Sequence, residues 1–127
     1  MNISTSTQRL ARLVLLLNDK TNAGEIQWAG TDHHSVFRAE ISKNAIEIRE
    51  ATDESGLPSV ELAIFNSKGD RVDVFDDTLF SNVDNPLGYT GYFSLMTDLL
   101  NTAKRQCSGA EQTVSELLSQ LNDDMPF

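Results

Sequence analysis

The spacing of apolar residues along this chain changes twice, and each stretch asks for a different kind of element. From Thr5 to about Lys20, Leu10, Leu13, Val14 and Leu17 recur three and four residues apart, with Leu16 widening the stripe. That spacing predicts a helix with one broad buried face. Thr5 and Gln8 have capping-box spacing at its start, and Asn22-Ala23-Gly24 breaks it.

From Glu25 to about Asp76 the period becomes two. Ile26 and Trp28, Phe37 with Ala39 and Ile41, Ile46 and Ile48, Val60 with Leu62 and Ile64, and Val72 and Val74 each alternate with polar neighbours. Five short strands follow from that alternation. Turn signals at residues 30–34, 42–44, 52–58 and 66–70 separate them, and such short links favour an antiparallel meander with one buried face. Phe65 and Phe75 stand out of phase with their neighbours, so period two places both on the opposite sheet face, near each other across the hairpin. The stretch 76–89, holding Asn85-Pro86 and Gly88, is a long connection of the kind that is often functional.

Helical spacing then returns. Tyr92, Phe93, Leu95, Met96, Leu99, Leu100 and Ala103 outline a second helix ending near Cys107. Ser108 and Glu111 repeat the capping-box spacing before a third, which carries Val114, Leu117, Leu118 and Leu121. The pattern predicts an α+β domain over residues 1–121: an N-terminal helix, a five-stranded antiparallel meander sheet, and two C-terminal helices packed on one sheet face. A flexible acidic tail is expected over residues 122–127.

Composition narrows the function. Ten Lys plus Arg against 19 Asp plus Glu give a net charge of −9, which disfavours phosphate-backbone binding and suits basic protein partners. Cys107 is the only cysteine, so no intramolecular disulfide forms, and the run from Leu13 to Leu17 is far too short to span a bilayer. A soluble, cytoplasmic protein is expected. His33 and His34 are adjacent and point apart, which suits a solvated turn better than a zinc site. Asp70, Asp73, Asp76 and Asp77 lack the oxygen and glycine spacing of a calcium loop and read as a solvated strand edge. Cys107 follows Lys104 and Arg105 but falls late in a helix, where the dipole opposes a thiolate. With no phosphate loop, nucleophile elbow or paired carboxylates, the expectation is a protein that is not an enzyme and takes no cofactor or metal.

The final five residues, Asp123-Asp124-Met125-Pro126-Phe127, carry the sharpest signal. Phe127 offers a ring and the terminal carboxylate together, Pro126 holds the segment extended, and the two aspartates steer it toward a basic rim. The stretch resembles the C-terminal tip of bacterial single-stranded-DNA-binding proteins, which ends Asp-Asp-Ile-Pro-Phe, with Met125 in place of isoleucine. That resemblance implies a docking peptide for replication, recombination and repair factors. The body is similar to small uncharacterised bacterial and phage proteins through Gly24-Glu25-Ile26-Gln27-Trp28 and Asn66-Ser67-Lys68-Gly69-Asp70, a likeness that implies no activity.

Together these features suggest a phage or bacterial accessory protein acting as an interaction module. Asp123 to Phe127 would meet the pocket of a protein partner, and Phe65 and Phe75 would form an apolar patch for a partner or a homodimer contact. Two alternatives stay open. Phe65 and Phe75 could stack single-stranded nucleic-acid bases, or the acidic surface could mimic DNA against a nuclease or repressor.

Overall fold

A computed structural model describes residues 3–124. The expected architecture is present: an N-terminal helix, a five-stranded antiparallel sheet and two C-terminal helices. Helix α1 runs Thr5–Asn22 and buries Ala11, Val14, Leu17, Asn18 and Thr21. Its cap is Ser4, one residue earlier than the capping-box spacing suggested. Ser4 is extended, and its hydroxyl accepts the Thr7 N–H at 3.1 Å. Gln8 reaches back to donate to the Ile3 carbonyl at 3.2 Å.

The sheet comprises β1 (Ala29–Gly30), β2 (Val36–Ile41), β3 (Asn44–Thr52), β4 (Pro58–Phe65) and β5 (Arg71–Asp76), paired antiparallel in chain order. The first strand is shorter and later than alternation at Ile26 and Trp28 suggested. The Trp28 N–H is taken by the Gln106 side chain at 2.8 Å, and its indole N–H donates to the Thr21 hydroxyl at 3.1 Å. Trp28 therefore pins β1 to both helices and gives its backbone donor to α2.

The β4–β5 ladder holds the main correction. Ile64 pairs with Asp73 but Phe65 pairs with Arg71, so Val72 is an extra residue and the ladder bulges there. In this register Phe75 lies opposite Leu62 on the buried face and Val74 opposite Ala63 on the outer face. Val72 is 57% exposed and Phe75 only 9%. The buried face thus takes the opposite β5 set from the one that Val72 and Val74 suggested. Phe75 meets Phe80 edge-on at 5.6 Å, and Phe80 in turn packs against Tyr92 at 4.7 Å, which ties β5 to the helical layer.

A short 3-10 helix at Asp77–Phe80 follows, so part of the long connection is ordered locally. Helix α2 (Tyr92–Ser108) brings Leu95, Met96, Leu99, Leu100 and Ala103 into the same core as Val14, Leu17, Ile48, Val60 and Leu62. Two helices, α1 and α2, cover one sheet face. Helix α3 (Ala110–Asp124) does not lie on the sheet, and its substantial contacts are with α2 alone. The physical cause is Gly109, whose left-handed φ of 73° turns the chain after α2 while its N–H bonds the Arg105 carbonyl. α3 continues through Asp124, past the Leu121 boundary that the pattern suggested.

Candidate protein-interaction surface

Helix α3 is the least covered apolar element among the described residues. Val114 is 41% exposed, Leu117 51%, Leu118 57% and Leu121 54%. Their spacing puts all four on one face. The helix is held at its start by the Thr113 N–H to the Gly109 carbonyl at 3.0 Å, and by Arg105 Nε donating to Glu111 at 2.6 Å. Ser108 does not cap it as the spacing suggested. Ser108 is the last residue of α2, and its hydroxyl donates to the Arg105 carbonyl at 3.2 Å. A helix of this length is marginal in water without tertiary packing, and among the described residues this apolar stripe lies uncovered.

The sequence of α3 contains Glu111, Glu116, Asp123 and Asp124 and no lysine or arginine. Asp123 and Asp124 fall in its final turn, and Met125, Pro126 and Phe127 lie outside the described residues. The docking-tip reading therefore begins where α3 ends.

A second apolar surface lies at the end of the sheet that carries the β2–β3 and β4–β5 turns. Leu13 of α1 faces Ile41, Ile46, Ile64, Phe65 and Val72 across a groove of about 360 Å³. Ser42 takes a positive φ of 58° to close the β2–β3 turn, leaving Lys43 exposed at its tip. Asn66 accepts the N–H groups of Lys68 and Asp70, both at 3.0 Å, which fixes the other turn with Lys68 exposed. Lysines at hairpin tips read as ordinary solvation, and only the folded ends of four strands bring them beside one groove.

The outer sheet face is a lattice of opposite charges. Arg38 pairs with Glu47 at 3.0 Å and Arg49 with Glu61 at 2.7 Å. The Arg38 guanidinium sits 5.1 Å from the Phe65 ring centroid. A cleft of about 280 Å³ here is lined by His33, Glu47, Arg49, Glu61, Phe65 and Arg71. Phe65 is on this face and Phe75 is in the core, so the aromatic pair expected from alternation does not form. A base-stacking platform loses one of its two rings.

The other candidates resolve into local structure. Asp77 accepts the Val60 N–H at 2.8 Å, and burial raises its carboxyl pKa against that hydrogen bond. Asp76 caps the 3-10 helix, accepting the Thr78 N–H at 3.0 Å. Asp73 accepts the Val74 N–H at 2.9 Å. The Cys107 thiol donates to the Trp28 carbonyl at 3.3 Å, and burial pushes its pKa up, which disfavours the thiolate. His33 and His34 are exposed, and no group of side chains suited to holding a metal occurs among the described residues.

One partly exposed polar relay organises the connection before α2. Tyr89 donates to Asp98 at 2.7 Å and accepts from Asn18 at 3.1 Å, which ties that loop to both helices. The hydrogen bond to Asp98 is the main reason the phenol pKa rises. Ser59 and Thr97, whose buried hydroxyls have no hydrogen-bond partner among the described residues, line one small cavity of about 230 Å³ between β4 and α2.

No helix among the described residues is long and apolar enough to cross a membrane. No protein family, curated protein or solved structure matches this chain.

Proposed function

We propose that this protein is a non-enzymatic interaction module whose C-terminal arm, α3 together with the Asp123 to Phe127 tip, docks on other proteins. The observation that carries the reading is the exposed Val114, Leu117, Leu118 and Leu121 face on a helix that otherwise meets only α2. The matching partner surface is an apolar groove with a basic rim, the helix-in-groove mode of recognition. The likeness of the tip to single-stranded-DNA-binding proteins supports partners among bacterial replication, recombination or defence factors, and a phage or bacterial accessory role.

The outer sheet face supports protein contacts better than nucleic acid. Arg38 and Arg49 on this face are paired with glutamates, and Glu47 and Glu61 share the cleft with Arg71, which leaves little net positive charge for phosphates.

Capture from bacterial lysate tests the proposal, with the full chain, a chain lacking residues 125–127, and a Leu117→Asp, Leu118→Asp chain as baits. Replication or repair enzymes held by the full chain are expected to be lost from both variants. Retention of the same proteins by both would place binding in the folded body and end the docking-arm reading.

A further inference from the structure

We propose that the cavity bounded by the C-terminal part of α1, the Asp84–Tyr89 connection and the start of α2 binds a small organic amine, an ammonium carrying an apolar body. The site lies apart from the α3 arm and stands whether or not that arm docks on other proteins.

The cavity encloses about 430 Å³, within the range of small-molecule sites. Leu15 of α1, Leu87 of the connection, and Tyr92 and Leu95 of α2 give it apolar and aromatic walls. Asp19 and Asp84 are its charged groups, and among the described residues no lysine, arginine or histidine lines it. Neither aspartate belongs to an ion pair among the described residues. Lys20, the base next to Asp19 in the chain, is held instead by Glu25 at 3.1 Å. Both carboxylates act on the rings beside them. Burial first, and then the Asp84 charge, raise the pKa of the Tyr92 phenol, and Asp19 adds to the rise at Tyr89 that the Asp98 hydrogen bond leads.

A second, independent feature asks for a donor. Asn18 also lines the cavity and is only 3% exposed. Its amide nitrogen is spent on the Tyr89 hydroxyl at 3.1 Å, and Tyr89 donates onward to Asp98 at 2.7 Å. Those bonds orient the amide and leave Asn18 Oδ1 buried without a donor among the described residues, a condition that folded chains rarely keep. An ammonium N–H seated in the cavity supplies that donor. Oδ1 is sealed from solvent, so the ligand reaches it only as the connection adjusts around it. Leu87 on that connection is 100% exposed and gains cover by closing on an apolar body.

The same groups argue against other ligands. An anion would meet two carboxylates and no base. A metal ion would ask for more ligands, and no group of three acidic, histidine or cysteine side chains suited to one occurs among the described residues. A purely apolar molecule would leave Oδ1 unpaired.

Calorimetric titration of the full chain with phenethylamine tests this, beside phenethyl alcohol, which keeps the ring and exchanges the ammonium for a hydroxyl. The amine is expected to bind with a Kd on the order of 1 mM, and the alcohol at least about tenfold more weakly. Asp19 and Asp84 are exposed, so the fold should tolerate Asp19→Asn with Asp84→Asn in one chain, and a thermal melt checks that. This pair should weaken the amine by roughly tenfold. Asp70→Asn with Asp73→Asn removes the same charge outside the cavity lining and should leave binding unchanged. In a proton–nitrogen correlation spectrum the amine should move the Asn18 side-chain amide signals.

Equal binding of alcohol and amine overturns the proposal, as does an absence of binding at about ten times the expected Kd. So does an Asp70→Asn, Asp73→Asn chain that loses as much affinity as the cavity pair, since the amine would then be following net charge alone. Amine-induced shifts that spare Asn18 and gather elsewhere place the ligand outside this cavity and also overturn it.

Discussion

Asp77 is a carboxylate placed where folding disfavours its charge. Burial raises its pKa above the ordinary 3.8 and the Val60 N–H opposes the shift only in part. A raised folded pKa means the ionised form is held less well in the native than in the unfolded chain. The penalty is present above the folded pKa and fades as pH falls through it. Asp77→Asn keeps an acceptor for the Val60 N–H and removes the charge. Thermal melts should show a higher Tm for this variant at neutral pH, with the gain shrinking as the pH falls through the raised folded pKa and gone below 3.8. The two phenylalanines near the hairpin should separate just as clearly. Phe75→Ala should cost about 3–5 kcal/mol in denaturant unfolding because it empties the contact with Phe80, whereas Phe65→Ala should cost about 1 kcal/mol, chiefly its contact with Arg38. Alternation alone put both rings on one face. One inserted residue, Val72, separates the hairpin turn from the β5 register, and a slip of one position moves every side chain to the other face. Nothing in the residue types of β5 marks that insertion.

At the scale of elements, helices and strands were legible wherever burial is one-sided and sustained. α1, β2, β3, β4 and α2 all follow their apolar spacing. Caps were harder, because Ser4, Thr5, Ser6 and Thr7 are four consecutive capping residues and spacing cannot choose among them. The choice is testable: Ser4→Ala should lower stability by about 1 kcal/mol and Thr5→Ala by much less, as read from urea midpoints. For α3 the stripe itself was plain in the sequence, but its position was not. Periodicity shows that a helix has an apolar face and is silent on what covers it. Gly109 decides that, since its backbone angle sends α3 off the layer that α1 and α2 already fill. The groove was still less legible, because it is assembled from one side of α1 and the ends of four strands.

At the scale of the whole molecule, charge sets two opposite responses to salt. A net charge of −9 makes the folded chain repel itself, and the exposed ion pairs return little of that stability. Screening should therefore raise the Tm of the free chain, while it weakens the attraction between the acidic helix and the basic rim of a partner. Melts and lysate capture run over one salt series should move in opposite directions. The single tryptophan gives the molecule an internal optical reporter whose location matters to such experiments. Trp28 is buried at the meeting of α1, β1 and α2, with its indole N–H bonded to Thr21 and its backbone N–H to Gln106. Intrinsic fluorescence thus follows the seam where the two long helices clamp the short edge strand. An emission shift on warming dates the opening of that seam, and an unshifted spectrum during association marks a contact made elsewhere on the surface.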